Sequence, residues 1–345
     1  MRFLLTGHTG FVGSYMSLFL REMGHTVSGL ALDPIRGEAD ERGIFELARV
    51  GELLEHDLRV DVRDHEAVCR AIQTVKPDFV VHLAAQQLVR ESFRQPRATF
   101  ETNVMGTVNL LEAIASAGVQ GALIATTDKV YQNRSQIWGY REDDKLGASD
   151  PLSGSKAAAD IITQSYSARA DYAVPLGIAR SANLLGGGDN CKEHLVVDCI
   201  AACKECRSVK LRSPNAVRSW QHVLDSISGY YELALRLTRK EPIAEGAFNF
   251  GADADSYETV GKVATMIAHE WGDTPDYEFV GDPENIKEEA TLSIDSKKAK
   301  FYLGWRNRLG LLELVKWTVD WEREVFRGAD ARTISLAQVR EFLKL

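Results

Sequence analysis

Residues 3–7 form a short apolar run that ends in Thr-Gly, and a helical period of about 3.6 residues takes over across residues 12–23. Thr26–Leu32 (TVSGLAL) returns to a compact apolar run, the pattern of a strand buried on both faces. Two further runs of that kind, Phe79–Leu83 and Gly121–Ala125, follow amphipathic stretches at residues 65–75 and 98–117. Residues 156–170 predict another helix and Leu176–Ala179 another strand. Strands that alternate with helices of ten or more residues predict βαβ units, and so an α/β fold on a doubly wound parallel sheet.

After about residue 185 the pattern loosens. Gly186-Gly187-Gly188-Asp189 reads as a turn, with helices near 194–204 and 222–238 and short strands near 208–212 and 247–250. Residues 256–271 and 311–324 predict helices, 282–295 is irregular, and 333–344 (TISLAQVREFLK) predicts a short amphipathic helix. The expected organisation is a dinucleotide-binding domain over 1–185. Residues 186–345 mainly form a smaller α/β substrate lobe, with some chain crossing back.

The chain has 345 residues, 45% hydrophobic and 26% charged, an ordinary globular balance. A net charge of −8 argues against nucleic acid or an anionic membrane as partner, since both demand basic surface. It leaves room for an anionic small molecule held by a few local arginines. No apolar run is long enough to span a bilayer, and Met1 to Gly7 runs straight into a glycine turn without a signal-peptide pattern. A cytoplasmic location with five reduced cysteines is the expectation. Cys199, Cys203 and Cys206, with Cys191 upstream, have a spacing that can ligate an iron–sulfur cluster. Val196–Lys204 (VVDCIAACK) also reads as an amphipathic helix, on which residues three and four apart share one face. The helix reading is preferred and no metal is expected.

Gly7-His8-Thr9-Gly10-Phe11-Val12-Gly13 is a G-x-x-G-x-x-G turn between the first strand and the first helix. Glycines there let a pyrophosphate approach the free N–H groups at a helix N-terminus, as in a Rossmann-type fold. Asp33 ends the second strand, where a carboxylate accepts hydrogen bonds from the adenosine ribose and repels a 2′-phosphate, which favours NAD over NADP. Arg36 lies close enough to blur that preference, and the plain alternative for Asp33 is a strand-end turn residue. Asp61-Val62-Arg63 follows another short strand, within reach of the adenine.

The segments TGHTGFVGS, HLAAQ (His82–Gln86), NVMGTVNLLEA (Asn103–Ala113), TTDK (Thr126–Lys129) and WGYRE (Trp138–Glu142) resemble the extended short-chain dehydrogenase/reductase family, in its NAD-dependent epimerase/dehydratase group. LLGGGDN (Leu184–Asn190) and RSWQHVL (Arg218–Leu224) resemble the CDP-glucose 4,6-dehydratases within that group. The resemblance implies a nucleotide-sugar 4,6-dehydratase with NAD as cofactor. Sugar C4 is oxidised with NAD as transient acceptor, the 4-ketone acidifies the C5 proton, water leaves across C5 and C6, and the hydride returns to C6. The product is a 4-keto-6-deoxy sugar on its nucleotide.

The same resemblance assigns roles. Lys156 grips the nicotinamide ribose, Thr127 hydrogen-bonds the sugar near O4, Asp128 protonates the departing C6 hydroxyl and Lys129 removes the C5 proton. Cofactor contacts fall on Gly7, Thr9, Gly10, Phe11, Val12, Gly13, Asp33, Asp61, Val62, Leu83, Ala84, Ala85 and Thr126. The nucleotide diphosphate sugar falls to Gln86, Asn183, Arg212, Arg218 and His222, the arginines because a guanidinium fork matches phosphate oxygens. A homodimer through the helices at 98–117 and 156–170 is implied, with a tetramer as the larger alternative.

One departure from the family pattern bears on the chemistry. In Asp150-Pro151-Leu152-Ser153-Gly154-Ser155-Lys156, Leu152 stands where the family's Y-x-x-x-K has its catalytic tyrosine. Positioned acid–base catalysis is typically worth ~10²–10⁴ in rate, so the substitution matters. Smaller departures are Ser181-Ala182 before Asn183, and Glu288 where relatives tend to have histidine. Three readings stay open. The enzyme works by a rearranged route, as in the UDP-N-acetylglucosamine dehydratases, which carry methionine there and keep the Asp-Lys pair. Asp128 or Lys129 then handles the C4 proton, directly or through water, with Tyr131 as a further candidate base. Alternatively the site performs epimerisation or simple oxidation, or the protein only binds NAD and a nucleotide sugar. Retention of Thr127, Asp128, Lys129 and Lys156 together favours an enzyme.

Overall fold

The computed structural model describes residues 1–37, 41–191, 193–272, 277–281 and 291–345. The irregular stretch expected at 282–295 lies largely outside them, and so does Glu288.

The first half of the chain alternates strand and helix as its hydrophobic pattern requires. In order it forms β1 (Arg2–Thr6), α1 (Phe11–Glu22), β2 (Thr26–Ala31), α2 (Ile44–Leu47), β3 (Asp57–Arg59), α3 (His65–Val75) and β4 (Phe79–His82). There follow α4 (Val89–Arg94), α5 (Pro96–Phe100), α6 (Gly106–Ala115), β5 (Gly121–Thr127), α7 (Pro151–Ser167), β6 (Leu176–Ser181) and β7 (Asn183–Leu185). The second half adds α8 (Leu195–Lys204), β8 (Val209–Leu211), β9 (Val217–His222), α9 (Val223–Thr238), β10 (Gly246–Phe250), β11 (Tyr257–Thr259) and α10 (Val260–Trp271). It ends with β12 (Tyr277–Phe279), β13 (Thr291–Leu292), α11 (Leu311–Phe326) and α12 (Ala331–Phe342).

Seven strands form one parallel sheet in the order β10-β6-β5-β4-β1-β2-β3. The chain winds one way from β1 to β3, then reverses at β4 and winds the other way. Open α/β sheets bind ligands in the crevice at such a reversal, beyond the carboxyl ends of the strands. The glycine turn after β1 and the Leu83–Ala85 loop after β4 sit at that point. β10 completes the sheet from beyond residue 186, α9 packs on β5 and β6, and α12 packs on α1. The chain therefore crosses back after it has built the smaller lobe.

That lobe rests on a four-stranded sheet, with β9 flanked by β11, β13 and β7, and on the parallel pair β12–β8. α8, α10 and α11 enclose a separate apolar cluster there. Cys199 and Cys203 are buried one turn apart on α8, Cys199 within this cluster, while Cys206 is exposed. No helix among the described residues is long and apolar enough to cross a membrane.

The expected helix at 98–117 is broken into α5, a π-helical stretch at Glu101–Met105, and α6. The helix expected from 156 begins at Pro151, where Asp150 accepts a hydrogen bond from the Ser153 amide at 2.9 Å. Proline at the first helical position and an aspartate cap are both start signals.

Candidate active site

The glycine turn is built to admit an anion. Gly7 has φ +73°, and a Cβ there would meet the Ala84 amide nitrogen at 2.7 Å, so the loop after β4 can lie this close to residue 7 only because it is glycine. A Cβ on Gly13, in the first turn of α1, would stand 2.3 Å from the Gly7 carbonyl oxygen. Gly10 differs. A Cβ on it would meet nothing closer than the Gly7 oxygen at 3.4 Å, so the protein's own packing does not demand glycine at that position. α1 starts at Gly10 without a side-chain cap or an acidic residue in its first turn, which leaves its N–H groups and positive dipole end open. These features fit a dinucleotide pyrophosphate. Thr9 donates to the Leu32 carbonyl at 3.1 Å, while Phe11 and Val12 pack half-buried on the core of α1.

Asp33 lies exposed just past β2, and Arg59 of β3 donates to its Oδ1 at 3.0 Å. Arg36 turns to Glu46, at 2.6 Å. Asp61 is forked by Arg63, whose hydrogen bonds hold its carboxyl below the usual range. Val62 is buried against Gly106 of α6.

Beneath this turn runs a buried polar chain. Thr6 Oγ1 accepts the amides of Leu83 (3.2 Å) and Ala84 (3.1 Å) and donates to His82 Nδ1 at 2.7 Å. His82 Nε2 donates to Thr107 Oγ1 at 3.2 Å, which donates to the Asn103 carbonyl at 2.7 Å. Each group then donates in one direction, which requires a neutral imidazole protonated on Nε2. Burial, with a smaller contribution from the nearby Lys156 charge, pushes His82 down to about 3. Asn103 continues the chain to Ser155 Oγ at 2.8 Å and to the backbone of Gln86. The network fixes the loop Leu83–Gln86, including half-buried Ala85, between α6 and α7.

β5 carries Thr126 and Thr127 at its carboxyl end, with Asp128 and Lys129 directly after them. Thr126 faces inward towards Asp160 and the Ala179 carbonyl. Thr127 faces the other way, half-buried. Its hydroxyl donates to Asp128 Oδ1 at 3.0 Å and accepts the Lys129 amide at 3.3 Å. Asp128 is 3% exposed, and Lys129 makes no side-chain hydrogen bond or ion pair among the described residues. From α7, Lys156 Nζ donates to the Ala125 carbonyl at 3.0 Å, and desolvation pulls its pKa down to about 8. Leu152, one turn earlier on α7, is buried hydrocarbon.

Tyr131 is not available as a base. Its hydroxyl donates to Asn249 Oδ1 at 2.6 Å and accepts from Arg180 at 2.8 Å, and its ring stacks on Tyr140. Burial pushes its pKa up, opposite to what a base needs. Two expected substrate contacts also make hydrogen bonds within the protein. The Gln86 amide donates to Thr99 Oγ1 and the Leu88 carbonyl and accepts the Leu88 amide, so it shapes its own loop. His222 is fully buried and caps α9 by accepting the Leu224 amide at 3.2 Å, with Trp317 edge-on to its ring. Burial keeps it neutral, at about 3. Asn183 on β7 lies opposite Trp220 of β9, on the strand that also carries half-buried Arg218. Arg212 follows β8, half-buried, with no side-chain partner among the described residues.

A family model for GDP-mannose 4,6 dehydratase matches residues 4–318. The chain belongs to this family. It is 39% identical to the CDP-glucose 4,6-dehydratase of Salmonella typhimurium, over 99% of this chain and 96% of that protein. Among solved structures, the UDP-glucose 4-epimerase of Thermus thermophilus, a complex with NAD, superposes with a TM-score of 0.79 at 26% identity, covering 95% of this chain and 100% of that one. The dTDP-glucose 4,6-dehydratase of Streptomyces venezuelae, with NAD and TYD bound, gives a TM-score of 0.78 at 25% identity, covering 94% and 97%.

The chain-wide polar network escaped the sequence reading as a set. Its signal was nonetheless present, because Asn103 and Thr107 lie four residues apart on the stripe that also carries Leu110, Leu111 and Ile114. A polar pair on a buried helix face needs partners.

Proposed function

We propose that this family member is an NAD-dependent nucleotide-sugar 4,6-dehydratase acting on CDP-glucose or a close relative. The observation that carries the reading is the 39% identity to a CDP-glucose 4,6-dehydratase along nearly the whole chain. The Thr127-Asp128-Lys129 turn at a strand end beside Lys156 agrees with it.

The Gly7–Gly13 turn, Asp33, Asp61, Val62, the Leu83–Ala85 loop and Lys156 are the residues that would hold the dinucleotide. Bound NAD would supply a reversible acceptor for the C4 hydrogen and its electron pair, which end on C6. Lys156 holds ribose hydroxyls, Thr127 meets the sugar O4, Lys129 takes the C5 proton and Asp128 protonates the departing O6. One group donates while its neighbour accepts, as an elimination requires. Asn183, Arg212 and Arg218 supply the diphosphate contacts. Exposed Phe100, Met105 and Ile161 along α5 to α7 support a homodimer through these helices.

The test incubates the purified protein and NAD with CDP-glucose, GDP-mannose, dTDP-glucose and UDP-glucose in parallel, read by mass spectrometry. Loss of one water from one of them is expected. Tight binding of NAD and CDP-glucose without turnover would replace the dehydratase by a binding protein. Lys129→Met should abolish product while NAD binding is unchanged; unchanged turnover would remove Lys129 as the base.

A further inference from the structure

The dehydratase reading leaves one proton without an acceptor. Oxidation at C4 must strip the proton from O4, and the tyrosine position that would take it holds Leu152, buried hydrocarbon that can neither accept nor donate. The polar groups around it are mostly committed. Ser153 Oγ donates to Asp150, Ser155 Oγ donates to the Leu152 carbonyl while accepting from Asn103, and Tyr131 is locked between Arg180 and Asn249. Lys156 donates to the Ala125 carbonyl.

Thr127 is different. A hydroxyl has one proton to donate and two lone pairs. Its proton is directed at Asp128 Oδ1 at 3.0 Å, and one lone pair takes the Lys129 amide at 3.3 Å. The second lone pair remains, on a half-buried side chain at the mouth of the strand end. A sugar hydroxyl donating into that lone pair completes a directed wire from O4 through Thr127 to a carboxylate.

We infer that Thr127 and Asp128 form a proton relay that takes the O4 proton in place of the absent tyrosine, and that the same proton later leaves with the water. The inference rests on the dehydratase reading. As the C4–H bond breaks, O4 becomes a protonated carbonyl oxygen, far more acidic than a carboxylic acid, so a carboxylate is base enough. The O4–H bond breaks, Thr127 Oγ1 accepts that proton and passes its own to Asp128, which becomes a neutral acid. Lys129 removes the C5 proton. The C5–H electron pair forms the C5–C6 double bond as the C6–O bond breaks, and Asp128 gives its proton to O6, which leaves as water. The C4 hydrogen and its electron pair are returned at C6, and Lys129 returns a proton to C5. The sugar has lost one water, the cofactor and every side chain end as they began, and no phenol is needed to store a proton.

The experiment starts from the full chain with NAD and whichever of the four nucleotide sugars loses water. If none does, the dehydratase reading fails and the relay with it. If one does, Thr127→Ser and Thr127→Val are compared in a single turnover followed at 340 nm, with binding of both ligands measured by calorimetry. Thr127→Ser keeps the hydroxyl and should stay within about 3-fold of the parent. Thr127→Val should slow C4 oxidation by ~10²–10³ with affinities nearly unchanged. In mixtures of light and heavy water, the parent's oxidation rate should fall along a bowed curve, since two protons move together. A Thr127→Val rate equal to the parent's, a loss confined to sugar-nucleotide affinity, or a straight-line isotope dependence would each overturn the relay while leaving the dehydratase in place.

Discussion

Arg180 and Asp160 form a two-pronged ion pair with almost no solvent exposure, at 2.7 and 2.9 Å, and Arg180 stands in register with Thr126 on the neighbouring strand. The turn that carries Thr127, Asp128 and Lys129 is thus anchored from behind by a charge pair that also holds Tyr131 and the Glu142 carbonyl.

Removing one partner of an enclosed pair strands the other charge. Arg180→Met should destabilise the protein by about 3–5 kcal/mol in denaturant unfolding, and the double variant Arg180→Met with Asp160→Leu should recover much of that. A single-variant loss below about 1 kcal/mol would show that the pair is dispensable.

Tyr131 belongs to that anchor and not to the chemistry. Tyr131→Phe should cost about 1 kcal/mol of stability through its lost hydrogen bonds, with turnover of the substrate within about 3-fold of the parent. A fall of 100-fold in kcat at full folding would return Tyr131 to the list of bases.

The two outer roles of the glycine turn separate by mutation. Gly7→Ala places a Cβ against the Ala84 backbone at a positive φ and should lower the unfolding temperature. Gly10→Val should leave unfolding little changed in the absence of ligand but weaken NAD binding at least about 10-fold, because its side chain grows where the pyrophosphate belongs. Equal thermal losses in both variants would refute that division.

Asp225 on α9 is fully buried, and desolvation raises its carboxyl to about 7 despite an accepted hydrogen bond from the Arg308 amide at 2.6 Å. An unfolded aspartate ionises near 3.9, so between about 4 and 7 the folded state binds a proton that the unfolded state has shed. This carboxyl therefore costs nothing in acid and destabilises progressively as pH rises through that window. Asp225→Asn should be more stable than the parent by about 2–4 kcal/mol at pH 8, with the gap closing towards pH 4. Comparing variant with parent at each pH cancels the opposite slope from His82 and His222, which stay neutral in the fold down to about 3. A gap independent of pH would mean that Asp225 is ionised throughout.

The elements with strong apolar periods were legible without coordinates. α3 falls on residues 65–75 as expected, β2 and β4 each end one residue early, and β1 is shifted by one residue. The helix at 98–117 was found but not its π-helical break, because the break answers to Asn103 reaching Gln86 and Ser155, contacts far away in sequence. β9 was quoted as a motif and not read as a strand. Its neighbours β7, β11 and β13 come from three separate segments, so no local hairpin marks it. Within the site, Thr127, Asp128, Lys129 and Lys156 were singled out by likeness to a family. The likeness said nothing of hydrogen-bond direction, and direction is what the proposed relay through Thr127 rests on. Gln86 and His222 were expected as substrate contacts, and what the motif did not show is that each also hydrogen-bonds the backbone beside it.

The packing of α12 on α1 has a consequence for synthesis. Ala331, Val339 and Phe342 share one core with Tyr15 and Leu18, and Arg340 reaches Glu22 at 2.7 Å. On the ribosome, the helix that begins at the glycine turn is made long before α12, and one flank stays uncovered until residue 342 has emerged. At 5–20 residues per second, that interval is on the order of tens of seconds. The nascent chain carries an exposed apolar helix face throughout, and cofactor capture must wait for, or compete with, the holdases that such a face attracts.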